Sequence, residues 1–107
     1  MRTWISEHGK EYDVPQEILS AGIPDISWHN DLCPCFGTQI GDTRVRLWVE
    51  HPLWVKRELG GPRFTVDRYD EQTSEYLAQH QTDDVNEAMR LYRVEVELAS
   101  DREREQL

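Results

Sequence analysis

The apolar positions of this chain change period several times, and each change predicts an element. Val14-Pro15-Gln16-Glu17-Ile18-Leu19-Ser20-Ala21-Gly22 reads as a two-turn helix. Proline suits its first position, Glu17 the positive end of its dipole, and Gly22 the left-handed stop after it. Asp25–His29 alternates, with Ile26 and Trp28 on one side and Ser27 and His29 on the other, which predicts a short first strand with Trp28 in the core. Phe36–Ile40, Gly41-Asp42-Thr43 and Arg44–His51 read as a hairpin. Its second strand sets Val45, Leu47 and Val49 on one face against Arg44, Arg46, Trp48 and Glu50 on the other. Pro52 ends that strand. Leu53–Pro62 is a connector with a helical turn at Leu53–Glu58 and a Gly60-Gly61-Pro62 break. Arg63–Tyr69 is a further strand with Phe64 and Val66 inward, and Ser74–His80 pairs back on it with Tyr76 and Ala78 inward.

After Thr82-Asp83 the period becomes helical. Asp84 with Glu87 three residues on resembles a capping box. Val85, Met89, Tyr92, Val96 and Ala99 then step by 4, 3, 4 and 3 along one face, while Leu91, Val94 and Leu98 step by 3 and 4 along another. Arg93–Leu98 also alternates as a strand would, but the helical period fits more residues and predicts a helix from Asp83 to about Ser100. Met1–Asp13 has no period and reads as an extended arm pinned by Trp4, Ile5 and Tyr12, and Asp101–Leu107 as a fraying tail. Strands linked by turns pair antiparallel. The expectation is a single α+β domain over residues 1–107: a small antiparallel sheet of four to five strands, with a short N-terminal helix and a long C-terminal helix packed on it.

Composition adds a packed core, since 4 Trp, 4 Tyr and 2 Phe in 107 residues exceed what a disordered chain carries. No run approaches the ~18 apolar residues of a membrane span. The first residues, M-R-T-W-I-S-E-H-G-K, lack a signal peptide's apolar core, so a cytoplasmic setting is expected. The net charge is −9 and uneven, with 12 acids against 5 bases in residues 67–107. Such a surface does not collect phosphates, which argues against direct nucleic-acid binding and for a protein partner with a basic surface. The alternative is that the acid only keeps a small domain soluble. On the predicted last helix Glu87, Glu97 and Asp101 share the outer side, where carboxylates on a rigid element stand in for phosphates. Its second apolar stripe, Leu91, Val94 and Leu98, pairs with a second copy to give a homodimer rimmed by Arg90 and Glu97, unless the arm or the short helix covers it.

Candidate chemistry gathers between His29 and His51. His29, Cys33, Cys35 and His51 are zinc-compatible ligand types, but only Pro34 separates the cysteines, where zinc sites place two or more residues. A thiolate at Cys33 or Cys35 with His29 as base and Asp31 or Asn30 as orienter would be a nucleophilic set, though the segment has no cation to stabilise a thiolate. No cofactor motif is present. Trp48 on the polar face of its strand and Trp54 after Pro52 are candidate partner contacts, because exposed Trp flanked by Arg typifies interface hot spots. The competing reading puts Trp48 under the arm or the connector.

The stretches D-I-S-W-H-N-D-L-C-P, R-L-W-V-E-H-P and G-G-P-R-F-T-V carry a resemblance across roughly Asp25–Val66. They resemble small uncharacterised bacterial proteins that look like products of plasmids and phages. The resemblance implies an accessory protein that works by binding, and carries over neither activity nor cofactor. The expected function is therefore a non-enzymatic acidic protein-binding module. Its sharper form is an inhibitor of a host defence protein that binds nucleic acid, acting by charge mimicry. A small thiol enzyme or metal protein using His29, Cys33 and Cys35 is the alternative.

Overall fold

The computed structural model describes residues 3–58 and 60–105. Strands β1 (Cys35–Ile40), β2 (Thr43–Val49), β3 (Phe64–Asp70) and β4 (Glu75–Thr82) form one antiparallel sheet in that order. Helices α1 (Trp4–His8) and α2 (Gln16–Leu19) precede it, and α3 (Val85–Glu105) follows and packs on it. This is the expected α+β fold, with four strands.

The β1–β2 hairpin closes through Gly41-Asp42, with Gly41 at φ +60, a conformation glycine adopts without strain. Its register puts Phe36 opposite Leu47, and β3 adds Val66 beside Leu47 and Phe64 beside Val49. Phe36, Val45, Leu47, Val49, Phe64 and Val66 thus share one face, each at most 2% exposed. Each such side chain contributes about 1.5–3 kcal/mol on burial. Onto this face α3 lays Ala88, Met89, Tyr92 and Ala99, and Ile18 of α2 completes the cluster. Half of the expected capping box forms at the α3 terminus: Asp84 Oδ1 accepts from the backbone N–H of Asn86 at 2.8 Å and of Glu87 at 3.2 Å, but the Asp84 N–H goes to Thr82 Oγ1 and the Glu87 carboxylate to Arg90.

Two buried ion pairs fix where α3 lies. Glu95, 3% exposed, accepts from Arg68 Nε at 2.7 Å and meets His80 Nε2 of β4 at 3.2 Å. Arg102 Nη2 donates at 2.6 Å to Asp70 Oδ2, while Asp70 Oδ1 holds the β3–β4 turn through the N–H groups of Gln72 and Thr73. The hydrogen bond from Arg102 leads these in holding the Asp70 carboxyl below the usual carboxylate range. Arg63 ties the N-terminal segment down: Nη2 donates to the Tyr12 and Asp13 carbonyls, both at 2.8 Å, and Nε to the Glu50 carbonyl at 3.1 Å.

Four expectations change. Asp25–His29 is not a strand; it makes an isolated bridge, Asp25 to Phe36, and its Ile26 N–H and Ser27 hydroxyl bond Cys35 without forming a ladder, while Trp28 is 39% exposed instead of core. Residues 3–12 form α1 and a 3₁₀ turn in place of an extended arm, with Thr3 and Ser6 making a reciprocal capping box. Residues 101–105 continue α3, so fraying does not begin at Asp101; Gln106 and Leu107 lie outside the described residues. Tyr76 points away from the core, because a bulge shifts the β3–β4 register between Arg68 and Tyr69, pairing Tyr69 with Tyr76 and Arg68 with Ala78. Residues 93–98 are helical.

Candidate protein-binding face

The sheet face opposite α3 is set by the same alternation. Cys35 and Gly37 of β1, Arg46 and Trp48 of β2, Thr65, Asp67 and Tyr69 of β3, and Tyr76 and Gln79 of β4 all belong to it by register. At its centre Asp67, 2% exposed, spends one oxygen on Arg46 Nε at 2.8 Å and the other on Trp48 Nε1 at 2.9 Å. The Arg46 guanidinium carbon lies 4.9 Å from the Tyr69 ring centroid, 5.1 Å from that of Trp48 and 5.8 Å from that of Tyr76. Burial opposes the charge on Arg46, but the Asp67 carboxylate more than offsets it and raises the guanidinium pKa. Tyr69 and Tyr76 meet edge to face, centroids 5.2 Å apart. The result is a cation–π stack with one buried carboxylate as its anchor, and Tyr76 remains 59% exposed on top of it.

A loop from Asp25 to Pro34 stands beside this stack. Asp25 positions it, accepting from Trp4 N–H at 2.8 Å and from Ser27 N–H at 3.1 Å. Ser27 Oγ accepts from Cys35 N–H at 3.0 Å. Gly37 permits the approach: a Cβ there would run into the Val45 carbonyl oxygen and meet Ile26 Cδ1 at 3.3 Å. Two open clefts result, with Trp48 and Asp31 lining both. One, about 430 Å³, lies between Ile26, Trp28 and Arg46. The other, about 320 Å³, lies between Leu32, Glu50, Asp67 and Tyr76.

Trp48 is half-buried on the outer face, where it lines both clefts beside the 25–34 loop. Trp54 is on the connector, on an exposed 3₁₀ turn with Leu53 and Val55, the three being 65%, 55% and 81% exposed. Arg57 holds that turn's base, donating to the carbonyls of His51, Pro52 and Gly61. Of the carboxylates on α3, Glu87 is ion-paired with Arg90 and Asp101 with Arg104, while Glu97 is exposed. Leu91 packs against the core; Val94 and Leu98 are 38% and 43% exposed.

The metal set does not come together. His29 is exposed and faces Glu7, with Nδ1 3.5 Å from Oε2. His51 is buried with Nδ1 accepting from Leu53 N–H at 3.0 Å and its ring edge-on to Tyr12. Among the described residues no three His, Cys, Asp or Glu side chains group as ligands for one ion. Both thiols are free and buried. Burial above all pushes the Cys33 and Cys35 thiols up, and nearby Asp31 adds to it for both, so each carries its proton at neutral pH.

Sequence reasoning missed Asp67, Tyr69 and Tyr76. The signal was a buried-strand aspartate opposite Arg46, together with an indole N–H two residues further on that needs an acceptor. Compared with protein-family models, curated proteins and solved structures, the chain matches none. No helix among the described residues is long and apolar enough to cross a membrane.

Proposed function

We propose that this protein is a non-enzymatic binding module that docks a basic protein partner on the outer face of its sheet. The observation that carries the reading is the second cleft, whose lining combines the aromatic side chains of Trp48 and Tyr76 with the acidic side chains of Asp31 and Glu50. Ring faces and carboxylates together suit a Lys or Arg side chain, which gains from both. Asp67 does not compete, since Arg46 already neutralises it. The stack is held by its own hydrogen bonds and ring contacts before any partner arrives, which lowers the ordering cost of a complex.

This moves the acidic-contact idea from α3 to the sheet. In residues 67–107 many carboxylates are engaged within the chain: Asp67 with Arg46, Asp70 with Arg102, Glu71 with Arg44, Asp83 with Arg57, Glu87 with Arg90, Glu95 with Arg68 and Asp101 with Arg104. Much of the acidity therefore holds the fold. An inhibitor of a host nucleic-acid-binding protein is one case of such a module, its target's phosphate-binding lysines or arginines entering the cleft. The test is affinity for a partner recovered with the full chain. Tyr76→Ala is expected to weaken the complex at least about tenfold, as truncation of an aromatic hot spot does. An affinity unchanged by Tyr76→Ala, with Glu97→Lys abolishing it, would overturn the reading.

A further inference from the structure

The two edges of the sheet are treated differently. At β1 the chain covers itself: Ile26 N–H donates to the Cys35 carbonyl and Gly37 N–H to the Pro24 carbonyl, both at 3.0 Å, and Asp25 bridges Phe36. At the opposite edge β4 pairs with β3 alone among the described residues. It is eight residues long, and none is fully buried. Natural edge strands are shortened or carry lysine, proline or bulges that repel another edge. This one, E-Y-L-A-Q-H-Q-T, has neither lysine nor proline, and its bulge sits at its start, leaving Ala78–Thr82 regular.

The helix side of this edge carries two leucines beside a closed ion-pair group. Glu95 reaches His80, so the flank of α3 bearing Glu95 lies toward β4. Leu91 and Leu98, four residues before and three after Glu95, share that flank. The charges there are closed: Glu95 sits between Arg68 and His80, and Glu87 is bridged to Arg90. Between Leu77 and Thr82 the strand carries no carboxylate, so on a chain of net charge −9 this is the stretch where a second copy meets no like charge.

We propose that β4 is the pairing strand of a symmetric homodimer. Two copies run antiparallel about a twofold axis near Gln79 and His80, joining two four-stranded sheets into one of eight, with Leu91 and Leu98 flanking the joint on the helix side. The two outer faces then become one surface with Tyr76 close to the joint from both sides. The proposal does not depend on what the outer face binds.

Sedimentation velocity of the full chain, from micromolar to millimolar, tests it. The wild-type protein is expected to dimerise. Gln79→Glu with Gln81→Glu, exposed changes that set like charges across the joint, should weaken dimerisation at least about tenfold with an unchanged circular-dichroism spectrum. Amide exchange at Ala78–Thr82 in the wild-type chain should slow as concentration rises, a readout independent of how the variant folds. A wild-type chain monomeric throughout, a dimer whose Ala78–Thr82 amides gain no protection, or a dimer broken by Val94→Glu and not by the β4 changes would overturn the proposal.

Discussion

Replacing Asp67 by Ala removes the anchor of the outer-face stack and leaves two groups behind. Arg46, its side chain 14% exposed, loses its counter-ion, and the Trp48 N–H loses its acceptor. Breaking a buried ion pair from one side costs about 3–5 kcal/mol. The residual exposure of Arg46 lets water reach part of the guanidinium, which places the effect near the lower end, about 3 kcal/mol. For a domain whose total stability is on the order of 5–15 kcal/mol that is a large fraction. It corresponds to a fall in melting temperature of roughly 12–24 °C. Urea unfolding followed by tryptophan fluorescence measures it, with Trp48 as a reporter beside the change. The companion double variant Arg46→Met with Asp67→Leu removes both charges and should recover most of the loss, because an apolar pair of similar volume needs no desolvation of ions. If Asp67→Ala costs less than about 1 kcal/mol, or the double variant is no better than the single one, the carboxylate is not the anchor argued here.

Further outcomes follow from the buried groups. Cys33 and Cys35 should resist thiol reagents in the native protein and react only at the rate of unfolding, and Cys33→Ala with Cys35→Ala should fold; rapid labelling of native protein, or stoichiometric zinc in it, would contradict the buried, protonated thiols. Asp70 has a folded pKa below the unfolded value of about 3.9, so its contribution is complete above that value and is lost as pH falls through the folded pKa. Unfolding free energies from about pH 5 to pH 2 should therefore fall less steeply for Asp70→Asn than for wild type, and parallel curves would refute the Arg102–Asp70 pairing.

What could be read from the sequence divides along physical lines. The hairpin, the inward Val45, Leu47 and Val49, the start of α2 at Pro15 and the Asp84 cap are local, since alternation, turn residues and capping rules act within a few positions; α2 is nevertheless one turn where two were expected, with Pro15 as its N-cap. Asp25–His29 alternates equally well, but a strand needs a partner ladder, and Ser27 and Asp25 instead bond the backbone around Cys35 and Trp4. Tyr76 was misread because the bulge that reverses its side depends on the β3–β4 register. Asp67, Asp70 and Glu95 looked like surface acid, since their arginines are 21 to 32 residues away in sequence and only the fold brings them together. The binding face was half legible: Trp48 stood out, whereas the Tyr69–Tyr76 pair that completes the stack did not.

The central claim is that the outer face of the sheet meets the partner. A photo-crosslinking benzoylphenylalanine at position 76 reports this directly, with the same residue at position 97 on α3 for comparison. Irradiation of the full chain in its source cell should give a covalent adduct from position 76, mapped by mass spectrometry to a lysine- or arginine-bearing surface of another protein. Adducts from position 97 alone, or a partner recovered with no crosslink from position 76, would contradict it.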